Sequence, residues 1–72
     1  MKAINQKVRT SLGKKIQTLR KSLGYSQERF AEMVGISRTH VGHIEQGRKS
    51  PSLKAIEKIA KTLKVKISDL FS

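Results

Sequence analysis

Residues 37–47 read SRTHVGHIEQG, which places an arginine, two histidines and a glutamate between positions 38 and 45. Side chains of these types ligate metals, shuttle protons or donate hydrogen bonds to another molecule. His40 and His43 stand three apart, a spacing that sets two side chains on neighbouring positions of one helix face. At about 100° per residue, however, Glu45 falls about 140° around the helix from His40 and about 160° from His43. A third metal ligand must then come from another element, and the chain has no cysteine and no other histidine to supply it. Acid/base catalysis fails on the same ground, because two imidazoles without an oriented carboxylate, a nucleophile or a pocket lack the mutual geometry. No metal, cofactor or catalytic residue is expected, and the cluster reads as a recognition surface in which His40 has no assigned task.

Composition narrows what such a surface meets. Sixteen Lys and Arg against five Asp and Glu give the 72-residue chain a formal charge of +11, so a polyanion is the first partner to consider. A chain this short forms one domain with a small core, burying only about 60% of its unfolded surface. Without cysteine, neither disulfides nor a zinc–thiolate site support that core. No apolar run approaches the roughly 20 residues of a membrane span, and no signal-peptide core precedes the first element. A soluble, cytoplasmic protein with no membrane partner is expected, also because no segment joins a basic face to exposed bulky aromatics.

The elements that carry the cluster follow from apolar spacing. Leu12, Ile16, Leu19 and Leu23 mark one face of a helix ending near Gly24, and Ile4 and Val8 continue the stripe upstream. Asn5 and Ser11 are equally good caps for its start, so residues 1–10, with Lys2, Lys7 and Arg9, form a basic arm or a helix extension ahead of a domain over 11–72. A second short helix runs from the cap Ser26 through Phe30, Ala31 and Val34 to Gly35. Ser37 caps a third, anchored by Val41 and Ile44 and ended by Gly47. After a polar loop holding the only proline, Ser52 caps a fourth with the stripe Leu53, Ile56, Ile59, Ala60 and Leu63. Val65, Ile67, Leu70 and Phe71 suggest a last short helix, giving an all-α chain. Ser72 follows that element at once, so no separate sensor or oligomerisation domain is expected.

Two short helices joined by a tight glycine-containing turn form a helix-turn-helix, whose second helix lies in the DNA major groove. The stretch SQERFAEMVGISRTHVGHIEQGRKSPSL, with LGKKIQTLRKSLG before it and LKAIEKIAKTLKVKISDLF after it, resembles the Cro and phage-repressor (XRE-type) helix-turn-helix family. The resemblance covers all but about the first ten residues. It implies a compact five-helix, lambda-repressor-like domain that binds operator DNA, commonly as a dimer.

Helical phase turns Val41 and Ile44 inward, so Thr39, Gly42, His43 and Gln46 face away from the core and Arg38 stands at the N-terminal edge of the exposed side. The family's base-reading positions map onto Arg38, Thr39 and His43. Arg38 suits guanine O6 and N7, Thr39 a thymine methyl, and His43 guanine N7 or a phosphate. Gly42, where family members often carry a larger residue, allows close approach to the duplex. Gln27, at the N-terminus of the second helix, occupies the family's phosphate-clamp position. Arg48 and Lys49 in the following loop are placed for flanking phosphates, with Lys14 or the N-terminal arm as more distant contacts. Arg29 replaces a glutamate common in the family, which leaves Ser26 to cap alone and adds a cation for a phosphate. Arg20 and Glu45 occupy the places of a family pair, read as a partly buried bridge that orients the third helix.

The resemblance implies a homodimeric transcriptional regulator, a repressor on a palindromic operator, dimerised through the last two elements, where Val65, Ile67, Leu70 and Phe71 exceed the needs of one small core. Small family members also serve as antitoxins that bind a toxin partner and repress their own operon, or as controllers of restriction-modification operons. A stably co-purifying toxic partner distinguishes the antitoxin case.

Overall fold

The computed structural model describes residues 5–72, and every regular element among them is helical. They run α1 (Gln6–Ser22), α2 (Gln27–Val34), α3 (Arg38–Glu45), α4 (Leu53–Leu63) and α5 (Ile67–Leu70). Of the two starts available to α1, the chain uses Asn5, whose side chain accepts the Val8 N–H at 2.9 Å. Ser11 lies inside the helix, so residues 6–10 extend α1 instead of forming a loose arm. Lys2 and Ile4 lie outside the described residues.

Ser26, Ser37 and Ser52 each accept the backbone N–H three residues on, at 3.0–3.1 Å, which satisfies one orphan donor at the head of α2, α3 and α4. The turn between α2 and α3 depends on Gly35, whose φ of 85° is left-handed, and both Gly35 N–H and Ile36 N–H donate to the Ala31 carbonyl. That closure brings α3 back across α2, with α1 against α3 and α4 beneath α2.

Phe30, Leu12, Ile16, Val34, Val41, Ile44, Ile59 and Leu70 are fully buried, so every helix contributes to one core. Val41 and Ile44 anchor α3 from below and leave its opposite face open. The stripe expected along α4 holds from Ile56 onward but not at its first residue. Leu53 is 72% exposed and Ala55 is buried in its place. Leu53 opens the first turn in nearly the same direction as the buried Ala60 seven residues on, and its exposure shows that no other element covers the head of α4 there. Of the four residues expected to exceed the needs of the core, Leu70 closes it and Val65 packs half-buried against it, so only Ile67 and Phe71 stay exposed, at 39% and 45%.

Candidate nucleic-acid interface

The exposed side of α3 carries donors and no carboxylate. Arg38 and Thr39 are exposed at its N-terminus, Gly42 and His43 are half-buried one turn on, and Gln46 is exposed at its end. Nothing lies within 4 Å of where a side chain at Gly42 would begin, so the middle of this face is a gap between flanking side chains. Glu45 is the only acidic residue between positions 37 and 52, and it is turned inward, 6% exposed. The face carries one cation, Arg38, among neutral side chains, and the exposed Arg48 and Lys49 that follow it add two more.

Glu45 joins three helices. Its Oε2 accepts from Arg20 Nε at 2.6 Å and its Oε1 from Arg20 Nη2 at 3.0 Å, a bidentate pair in which Arg20 is 5% exposed. Oε1 also accepts from Gln27 Nε2 at 3.0 Å and Gln17 Nε2 at 3.4 Å. Arg20 Nη1 donates to the Tyr25 carbonyl at 2.8 Å, which ties the α1–α2 turn to the same cluster. A buried ion pair offsets its desolvation only when the remaining lone pairs and protons are also engaged, and here they largely are. The cluster therefore links α3 to α1, to α2 and to the turn between them.

Gln27 is placed differently from a free clamp. Its side chain is half-buried and one amide N–H is engaged by Glu45, so the residue sits at the head of α2 in a fixed orientation. Arg29 is exposed and lies 3.8 Å from Glu32, an open pair on one face of α2 that contributes little. Ser26 caps α2 alone. His40 is half-buried, with Nε2 enclosed and without a hydrogen-bond partner among the described residues. It does not meet His43 and Glu45 in a common site, and among the described residues no three His, Cys, Asp or Glu side chains gather as metal ligands. Nor is any helix there long and apolar enough to cross a membrane.

Three features of the site escaped the sequence reading. Gln17 reaches Glu45 from the face of α1 that also carries Gly13 and Arg20. A Cβ at Gly13 would lie 2.3 Å from the Ile44 carbonyl oxygen and 2.6 Å from that of Glu45, so α1 crosses the end of α3 at backbone contact. Arg9 Nε donates to the Gly47 carbonyl at 3.1 Å. An isolated glycine inside an apolar stripe was the available signal for the crossing; the other two carried none.

Comparison with known proteins agrees with this arrangement. Residues 16–70 match the family model described as Helix-turn-helix. The chain is 44% identical over 57 residues to the uncharacterized HTH-type transcriptional regulator YgzD of Bacillus subtilis (strain 168), covering 79% of this chain and 86% of that protein. The crystal structure of the restriction-modification controller protein C.AhdI from Aeromonas hydrophila superposes with a TM-score of 0.83 at 35% identity, covering 88% of this chain and 96% of that one. SinR, a master regulator for biofilm formation solved in complex with DNA, superposes with a TM-score of 0.79 at 31% identity, covering 85% and 98% respectively.

Proposed function

Because the chain belongs to the XRE-type helix-turn-helix family of DNA-binding transcriptional regulators, we propose that it binds double-stranded DNA sequence-specifically, as a cytoplasmic homodimeric repressor on a palindromic operator. The observation that carries this reading is the exposed face of α3, which holds only neutral and cationic donors while its single carboxylate is spent inside on Arg20. Arg38 donates to guanine O6 and N7, Thr39 meets a thymine methyl, and His43 donates to guanine N7 or a phosphate. The gap at Gly42 lets the helix sit deep in the groove. Arg48 and Lys49 hold the flanking phosphates, joined by Arg29 and by the head of α2 at Gln27. The exposed Ile67 and Phe71 supply the dimer surface, and two half-sites then lie about one helical turn, near 34 Å, apart. No cofactor enters the reading.

A second, narrower reading is control of a restriction-modification operon. It is favoured by the similarity to C.AhdI, which extends over 96% of that controller protein.

The test compares two substitutions on selected and random duplexes. Arg38→Ala loses about 1–3 kcal/mol on the selected site only, whereas Lys49→Ala weakens both alike and lowers the salt slope by about one unit. Equal losses on both duplexes from Arg38→Ala remove Arg38 from the base readers.

A further inference from the structure

The N-terminal turns of α1 precede the family-matched residues and meet the chain at the end of α3 and just beyond it. α1 crosses α3 at Gly13, and two arginines flank the crossing on the same side of α1, eleven positions or about three turns apart. Arg20 reaches one way to the Glu45 side chain. Arg9 reaches the other way to the Gly47 carbonyl, at 3.1 Å and partly buried. Gly47 is itself seated against α1: its φ is 76°, and a Cβ there would lie 2.8 Å from Thr10 Oγ1 and 2.9 Å from Thr10 Cα.

The Gly47 carbonyl belongs to the same peptide plane as the Arg48 N–H. That N–H donates to the His43 carbonyl at 2.9 Å, so the plane is held at both of its polar ends, by α3 on one side and by Arg9 on the other. Arg48 and Lys49 leave from this plane. A guanidinium also suits the negative C-terminal end of a helix, where α3 leaves its last carbonyls.

We propose that Arg9 is a positioning residue for DNA-backbone binding: by holding the Gly47 carbonyl it fixes the direction in which Arg48 and Lys49 leave the recognition helix. The proposal rests on the reading of Arg48 and Lys49 as phosphate contacts.

Phosphate contacts are independent of sequence, so the probe is a fluorescein-labelled duplex of mixed sequence, titrated by anisotropy well below each variant's melting midpoint. Arg9→Ala weakens binding by about two- to tenfold, the equivalent of one hydrogen bond, and Arg9→Lys, which keeps a donor and the charge, restores most of it. In the free protein, Arg9→Ala also speeds hydrogen exchange at the Arg48 amide. Combined with Lys49→Ala, the loss is smaller than the product of the two single losses, because a loosened loop has already forfeited part of what Lys49 contributes. Losses that multiply, with Arg48 exchange unchanged, make Arg9 an independent charge and overturn the proposal alone. A Lys49→Ala protein that binds like the wild type overturns the phosphate reading beneath it.

Discussion

Replacing Gly13 by alanine puts a methyl group where α1 crosses α3. The added Cβ would stand 2.3 Å and 2.6 Å from two carbonyl oxygens, both backbone atoms that cannot rotate away. Restoring ordinary contact parts the helices by about 1 Å, and over-packing of this kind costs roughly 1–3 kcal/mol. Alanine in place of a mid-helix glycine returns about 0.5–1 kcal/mol of backbone entropy. Gly42→Ala makes the same exchange in α3 with nothing within 4 Å, so it isolates the return without the clash. With roughly 4–8 °C per kcal/mol for a domain of this size, Gly42→Ala should melt about 2–8 °C above the wild type and Gly13→Ala several degrees below it. Thermal melts followed by circular dichroism measure both. The difference is large against a total stability of about 4–11 kcal/mol at 0.05–0.15 kcal/mol per residue. A Gly13→Ala protein melting with Gly42→Ala, or above the wild type, would refute the backbone contact between α1 and α3.

Other perturbations separate stability from recognition. Gly42→Ala, although more stable, should bind a selected duplex more weakly, because its methyl fills the gap in the recognition face; unchanged affinity by anisotropy removes the close-approach role of Gly42. Glu45→Ala strands Arg20 in the interior with only the Tyr25 carbonyl as its partner in the cluster and should cost about 3–5 kcal/mol. Urea denaturation reads this as a lower midpoint at an unchanged slope, and a loss under about 1 kcal/mol would show that the pair does not organise the three helices. Lys64 ends α4 at φ 61°, a left-handed conformation that a side chain disfavours. Lys64→Gly should therefore stabilise by about 1 kcal/mol, seen as a rise in melting temperature, and a fall would place a stabilising contact on the lysine side chain.

What could be seen in the sequence is what depends on neighbours along the chain. Three serines at helix heads, the inward pair Val41 and Ile44, and the glycines that end α2 and α3 are local in origin, and the structure has them in those roles. The pairing of Arg20 with Glu45 spans 25 residues, and it came from resemblance aided by helical phase. Contacts without periodicity stayed hidden. Gln17 and Gln27 are unremarkable polar residues until three helices converge on one carboxylate. Arg9 looked like one more cation in a basic arm, because its partner is a backbone carbonyl 38 positions away. Leu53 shows the opposite error, since a helical stripe fixes a direction but not whether another element reaches that far.

The central claim is that the exposed face of α3 reads bases, with Arg38 as its principal reader. Selection of bound fragments from a random duplex pool, run in parallel with the wild type and Arg38→Ala, tests it most directly. The wild type should return a palindromic motif with half-sites about one helical turn apart, and the variant should return the same motif with one base pair per half-site degenerate. Fragments from the wild type that share no motif, or a motif that Arg38→Ala leaves intact at every position, would contradict it.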